Sequence, residues 1–356
     1  PPRIRQHSPL AGLRRGPALA HARGILPRGV ERDDPKVVAM LKFILQRLLT
    51  VTPVALGVSV VCFMLVHLAP GDPLSAVLPV DATQETIDAM RAAYGYDKPL
   101  PVQYVIWLWH VLQGDLGISI ATGRPVVQEV GRAVVNSLIL AFVATLIGFT
   151  FGCLFGFVAG YFRNSILDRL ASAVSVFGVS VPHYWLGMVL VIVFSAQLGW
   201  LPPTGAGPDG SGNWRPDFDH LRYIILPALT MSVIPMGVIA RTIRALVGDI
   251  LAQDFVGALR AKGLSEFGVF KHVVKNAAPT ALAIMGLQLG YLLGGSILIE
   301  TVFAWPGTGF LLNAAIFQRD LPLLQGSILV LAMFFVALNL IVDVVQTALD
   351  PRIERG

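Results

Sequence analysis

The sequence predicts an all-α polytopic membrane protein with six transmembrane helices, and three observations support this fold class. Of the 356 residues, 54% are apolar and 14% are charged, and the mean hydropathy is +0.68, values outside the range of soluble globular domains. Six segments are apolar over the roughly 20 residues that a helix needs to cross a bilayer. Basic residues cluster between these segments, so the formal charge of +5 indicates membrane orientation rather than binding to nucleic acid.

The first 39 residues are rich in Arg and Pro and contain no apolar run of bilayer length. We interpret residues 1–39 as a disordered basic tail that contacts anionic lipid. The alternative is a start codon assigned too far upstream, because Met40 opens the stretch MLKFILQRLL directly before the first apolar run. The tail lacks the compact apolar stretch and the cleavage site of a signal peptide.

The predicted spans are bounded by Pro, Gly or charged residues, and they lie at 45–69, 134–160, 169–198, 222–246, 280–303 and 326–348. The first transmembrane helix, with the residues that lead into it, occupies 40–69. The third span contains Pro182, which predicts a kink rather than two separate spans.

The connections between the spans alternate in charge. Basic residues concentrate on the side that both termini share, whereas 70–133 and 199–221 carry acidic residues. The positive-inside rule therefore places both termini, including the tail 349–356, in the cytoplasm. Two helix-like stretches within 70–133 predict a small extracytoplasmic helical cap, and 134–348 then form a five-helix core.

The cytoplasmic connection 247–279 is too long to be a simple turn, and its periodicity predicts two short helices with a break between them. Gly263 has the position of a helix C-cap, Ser265 that of an N-cap, and Pro279 that of the first residue of the next span. Such a helix–turn–helix is able to dock into a groove of a cytoplasmic partner. An amphipathic hairpin that anchors to anionic lipid fits the spacing equally well.

The segment 254–265, DFVGALRAKGLS, resembles the EAA loop of ABC-importer permeases in its peptide-transporter form, D-Y-V-x-x-A-R-A-K-G-L-S. Further similar stretches are LAPGDP at 68–73, YDKPLPVQY at 96–104, ETVFAWPGTG at 300–309 and VDVVQTALDPRI at 342–353. From Met40 onwards, the chain is similar to the B-type permeases of dipeptide, oligopeptide and nickel importers. It departs from them at Phe255, where the family has Tyr, and at Gly257 and Leu259, where Arg and Ala are more usual.

The resemblance implies a type I ABC importer permease-like bundle in the plasma membrane of a bacterium or archaeon. It implies a non-catalytic subunit that forms half of the path for dipeptides or oligopeptides, with nickel, glutathione or another small solute as alternative cargoes. The implied partners are a second homologous permease, two ATPase subunits, an extracytoplasmic binding protein and membrane lipid. ATP and Mg²⁺ belong to the ATPases, because this chain has no phosphate-binding loop, and no cofactor or metal site of its own is expected. The residues assigned to ATPase coupling are Asp254, Phe255, Arg260, Ala261, Lys262, Gly263, Leu264, Ser265 and Glu266.

Three polar residues of the predicted spans are candidates for lining the translocation path. Asn339 and Asp343 share one face of the last span, and the alternative for them is a structural hydrogen bond between helices. Glu300 lies at the outer end of the fifth span, where it contacts cargo or, alternatively, is solvated at the interface. An ion-driven secondary transporter is a distant alternative for the whole chain, but the internal repeat and paired broken helices of that class are not found in the sequence.

Overall fold

The structure is a computed structural model that describes residues 35–68, 83–94, 97–210, 212–294 and 296–349. From residue 44 onwards the described residues belong to one compact unit, and residues 35–43, at the start of the first helix, belong to another. The α-helices are α1 (Pro35–Leu68), α2 (Gln84–Tyr94), α3 (Leu100–Leu112), α4 (Val126–Tyr161), α5 (Ile166–Ser180), α6 (His183–Leu190), α7 (Phe218–Leu251), α8 (Asp254–Ala261), α9 (Glu266–Gly294), α10 (Ser296–Val302), α11 (Thr308–Gln318) and α12 (Leu321–Leu349). The all-α prediction is confirmed.

Both predicted tails fall largely outside the described residues. Residues 1–34 and 350–356 are not described, whereas α1 begins at Pro35, inside the predicted tail. The helices α2 and α3 occupy the two helix-like stretches predicted within 70–133. Helix α4 begins at Val126, earlier than the predicted 134.

Over the described residues, three helices are long and apolar enough to cross a bilayer, and they are α4, α7 and the Leu321–Leu340 part of α12. The bent pair of α5 and α6 adds a fourth candidate span. Helix α1 contributes a shorter apolar stretch, Leu49–Leu65. The number of six spans therefore stays a prediction.

The third predicted span is broken rather than kinked. Helix α5 and the helical segment that starts at His183 meet at an angle of 104°. Val181 adopts an extended conformation (φ −84°, ψ 130°) directly before Pro182. The proline ring disfavours helical dihedrals in the preceding residue, so the helix ends there. A π-helical stretch, Val191–Gln197, continues from α6.

The structure differs from the fifth predicted span, 280–303, at both ends. Helix α9 runs without interruption from Glu266 through Pro279 to Gly294, so Pro279 lies inside a helix and does not begin one. The second short helix predicted for the cytoplasmic loop is thus the first part of a long helix. At the other end, the residues predicted to complete the span form a separate helix, α10.

Helices α4 and α7 pack closely along a row of glycines on α4. The row, here called the glycine seam, consists of Gly148, Gly152, Gly156 and Gly160. A β-carbon on Gly156 would lie 2.7 Å from the carbonyl oxygen of Ala240 and 2.7 Å from the β-carbon of Ile243. Small residues at every fourth position let two helix backbones approach without intervening side chains. The seam therefore fixes α4 against α7 along much of their length.

Candidate functional site

The connection between α7 and α9, here called the α8–α9 turn (residues 254–270), is a helix–turn–helix. Gly263 has φ +82°, and the N–H of Leu264 donates to the carbonyl of Leu259 at 3.2 Å. A residue in the left-handed region followed by this hydrogen bond, which spans six residues, is characteristic of a Schellman C-cap. Ser265 Oγ then accepts a hydrogen bond from the N–H of Gly268 at 3.3 Å and caps α9. The predicted capping positions of Gly263 and Ser265 are confirmed.

One face of α8 is packed onto the rest of the protein. Val256 is 1% exposed and belongs to a hydrophobic cluster that contains residues of α7, α8 and α9. Phe255, Leu259 and Leu264 are half-buried against the same cluster. A lipid-anchored hairpin would direct this apolar face into the membrane. Here the face is already occupied by protein, which favours docking to a partner.

The opposite face of the turn is exposed and mixes charge with aromatic surface. Its exposed members are Asp254, Gly257, Ala258, Arg260, Ala261, Lys262, Glu266 and Phe267. Phe267 is 77% exposed and stacks on Phe270, with 6.4 Å between the ring centroids. An exposed aromatic pair rimmed by charges is typical of a protein-binding surface.

A charged contact closes the turn and ties it to α4. Arg260 donates from Nε to Glu266 Oε1 at 3.0 Å and from Nη2 to Oε2 at 3.3 Å. The hydroxyl of Tyr161, the last residue of α4, donates to the same carboxylate. Arg260 first and Tyr161 second hold the pKa of Glu266 below its ordinary value, so this carboxylate is ionised at neutral pH.

Two glycines in the turn provide a matched test of its geometry. A β-carbon at either Gly257 or Gly263 would meet no atom within 4 Å, but only Gly263 has a positive φ. We expect Gly263→Ala to destabilise the turn by about 1 kcal/mol through backbone strain, and Gly257→Ala to stabilise α8 by about 1 kcal/mol. Hydrogen exchange of the α8 amides measures both effects. Equal protection in the two variants would contradict the assigned cap.

Glu300 lies in a buried polar cluster, so this structure shows neither the cargo contact nor the solvated position predicted for it. Its side chain is 0% exposed, so it faces neither water nor an open path. Oε1 accepts from the hydroxyl of Ser137 at 2.6 Å, and Oε2 accepts from the N–H of Gly309 at 2.7 Å. The N–H of Thr308 donates to Ser137 Oγ at 2.8 Å. The carboxylate thus sits at the N-terminus of α11, where a helix favours negative charge.

The same cluster joins α4 to the chain segment around Trp305. Asn136 Nδ2 donates to the carbonyls of Pro306, at 2.8 Å, and Gly212, at 2.9 Å. Trp305 is 0% exposed, and its indole N–H donates to the carbonyl of Asn136 at 3.1 Å. We call Asn136, Ser137, Glu300, Trp305 and Thr308 the Glu300 cluster. It fastens the segment between α10 and α11 to α4.

The other two path candidates lie on α12. Asn339 is exposed and faces α9, since its amide oxygen is 3.5 Å from the position that a β-carbon on Gly290 would take. The side chain of Asp343 lies outside the described part of the structure. Among the described residues, no group of three His, Cys, Asp or Glu side chains is arranged to hold a metal ion.

The structure adds contacts that the sequence prediction missed. Asn136 and Ser137 form a polar pair in an otherwise apolar run, and this pair was a usable signal for a buried hydrogen-bonding site. No local pattern marks Tyr161, because its partner Glu266 lies far along the chain. The acidic side chain of Asp320 is 1% exposed and accepts hydrogen bonds from Ser119 and from the N–H of Ala121. It ties the residues before α4 to the start of α12.

Two family models together match nearly all of the chain after residue 39. Residues 148–355 match the binding-protein-dependent transport system inner membrane component, and residues 40–146 match the N-terminal model of the same membrane components.

Curated relatives agree with these matches. The glutathione transport system permease protein GsiC of Salmonella typhimurium (strain LT2) is 40% identical over 315 residues, which cover 88% of this chain and 99% of the relative. GsiC of Escherichia coli (strain K12) is 39% identical over the same coverage.

A solved structure shows the fold. The chain is similar to the MetNI methionine ABC transporter in an inward-facing crystal form, with a TM-score of 0.51 and 20% identity. The match covers 62% of this chain and 96% of the solved one. At this identity the likeness concerns the type I importer fold alone. The chain belongs to the family of binding-protein-dependent transport inner-membrane components, the non-catalytic permease subunits of ABC importers.

Proposed function

We propose that this chain forms half of the translocation path of an importer for glutathione and peptides of similar size. The observation that carries the cargo proposal is the 40% identity to glutathione permeases over 88% of the chain. Glutathione is itself a modified tripeptide, so it lies within the peptide class that the sequence motifs indicate. A binding protein delivers this cargo from the extracytoplasmic side, and a second, homologous permease completes the path.

The α8–α9 turn is proposed as the docking segment for one of the two ATPase subunits, and the corresponding turn of the second permease as the docking segment for the other. Three features support this assignment. The inner face is anchored through Val256, the outer face presents Phe267, and the turn is held by the Arg260–Glu266 pair. A rigidly mounted, exposed helix is suited to follow the movement of a partner. The assignment also requires both termini to be cytoplasmic, which the distribution of Lys and Arg supports.

Removal of the exposed aromatic ring in the turn tests the docking proposal. We expect Phe267→Ser to reduce the amount of ATPase that co-purifies with this chain by about tenfold, because exposed aromatic anchors dominate protein interfaces. Phe317→Ser is the matched control, since Phe317 is 83% exposed but lies on α11, away from the turn. An equal loss in both variants, or in neither, would contradict docking through this face.

The cargo proposal is tested by uptake into proteoliposomes that contain the complete transporter and its binding protein. Labelled glutathione should accumulate inside only when ATP is supplied to the ATPase side. Unlabelled di- and tripeptides are then added as competitors, with nickel salts as the non-peptide comparison. If labelled glutathione did not accumulate, or accumulated equally without ATP, the proposed cargo would be wrong.

A further inference from the structure

Helix α4 contacts the α8–α9 turn at one end and the Glu300 cluster at the other. Tyr161, at its C-terminal end, donates to Glu266, and Asn136 and Ser137 bind the segment around Trp305. Between Ser137 and Tyr161, the helix rises about 36 Å, at about 1.5 Å per residue. One continuous helix thus joins two sites on opposite sides of the membrane-spanning core.

The stretch of α4 between these sites is built to be stiff. No proline interrupts α4, whereas α7 contains two, Pro227 and Pro235. The glycine seam holds α4 against α7, with β-carbon positions that leave no room for a side chain. A continuous, closely packed helix moves as one body, because closely packed interiors do not deform gradually.

We propose that α4 is the rigid link by which a displacement of the α8–α9 turn reaches the Glu300 cluster, and that Tyr161 is the positioning residue that engages it. This proposal rests on the proposed function of the turn. The hydroxyl of Tyr161 donates to the oxygen of Glu266 that Arg260 also contacts, so movement of α8 reaches α4 through the Glu266 carboxylate of α9. The Tyr161 ring packs edge-on against Phe270, at 6.4 Å between centroids, and keeps the hydroxyl in place.

The chemistry of this contact suits a permanent connection. The ionised carboxylate of Glu266 accepts hydrogen bonds from a phenol and a guanidinium, and charge-assisted bonds of this kind are stronger than neutral ones. Because the folded pKa of Glu266 is lowered, the contact is present above the ordinary pKa of glutamate. It is lost only as the pH falls through the lowered value. The contact between Tyr161 and Glu266 therefore persists at and around neutral pH.

Tyr161→Phe tests the link, because it removes the hydroxyl and keeps the ring. The measurement is ATP hydrolysis by the reconstituted complete transporter, with and without cargo-loaded binding protein. We expect the stimulation by cargo to fall about fivefold or more, the lower range of ordinary coupling between sites, while basal hydrolysis and ATPase co-purification stay unchanged. Tyr104→Phe is the control. Tyr104 lies on α3, away from the turn, and the substitution likewise removes one hydroxyl, which contacts Ser59 of α1.

Glu266→Ala provides a second approach if Tyr161→Phe lowers the thermal unfolding midpoint. The Glu266 side chain is 63% exposed, so its removal does not create a cavity. Because Glu266 also lies on the docking face, hydrolysis by this variant is expressed per ATPase subunit retained, and on that scale the stimulation should be lost. Stimulation equal to that of Tyr104→Phe, in either variant, would overturn the rigid link but leave the proposed function standing. ATPases that fail to co-purify with the unmodified chain would overturn the proposed function itself.

Discussion

Gly156→Ala is expected to lower the free energy of unfolding of this permease by about 1–3 kcal/mol, the usual cost of overpacking a close contact. The new methyl group would sit 2.7 Å from the carbonyl oxygen of Ala240 and 2.7 Å from the β-carbon of Ile243. Neither atom belongs to the far end of a flexible side chain, so α4 and α7 must separate. Reversible unfolding in mixed micelles, with a denaturing detergent as titrant, measures the change.

Gly131→Ala is the matched control for this prediction. Gly131 lies on the same helix, and a β-carbon there would meet nothing within 4 Å. Both substitutions gain about 1 kcal/mol of helix propensity, so the difference between the variants isolates the clash. If Gly156→Ala were as stable as Gly131→Ala, α4 and α7 would not pack through the glycine seam.

Glu300→Gln is expected to destabilise the protein by about 2–4 kcal/mol, because it breaks a buried network in which both carboxylate oxygens accept hydrogen bonds. An amide has one acceptor oxygen where the carboxylate has two. The amide nitrogen must therefore face either the N–H of Gly309 or the hydroxyl of Ser137, and the N–H cannot accept. The substitution also removes the negative charge at the N-terminus of α11.

Glu85→Gln is the control for the loss of charge alone. Glu85 lies in the first turn of α2 and is exposed to solvent, so its replacement should change stability by less than about 0.5 kcal/mol. Thermal unfolding midpoints of the two purified variants provide the comparison. A Glu300→Gln protein as stable as the control would show that the carboxylate does not hold the segment between α10 and α11.

The fold class and the helix–turn–helix at 254–270 could be predicted from the sequence, because both are expressed in local pattern. The apolar runs, the alternation of charge and the caps at Gly263 and Ser265 all act within a few residues. The broken third span was marked by Pro182, but the angle of 104° depends on how α5 and α6 pack. At Pro279, by contrast, the helix is not interrupted. Helix α9 continues through this proline because the surrounding helices pack against it.

The hydrogen-bond partners within the Glu300 cluster and the contact of Tyr161 with Glu266 could not be predicted, because these partners are distant in the chain. A glutamate near the end of an apolar run suggests an interface by hydropathy alone. Its actual burial depends on Ser137 from α4 and on the turn into α11, which position their donors only after the helices pack. Hydrogen bonds between residues that are distant in the chain leave no periodic pattern in the sequence.

Site-directed cross-linking from the outer face of α8 tests the central claim most directly. Ala261 is exposed at the end of α8, and Cys replaces it in a chain whose native Cys62 and Cys153 are changed to Ser. A short thiol-to-amine reagent is then applied to the complete transporter, with Thr122→Cys, in the predicted extracytoplasmic region, as the control position. We predict that an ATPase subunit is captured from position 261 and not from position 122. If position 261 captures no ATPase, the α8–α9 turn is not the docking segment.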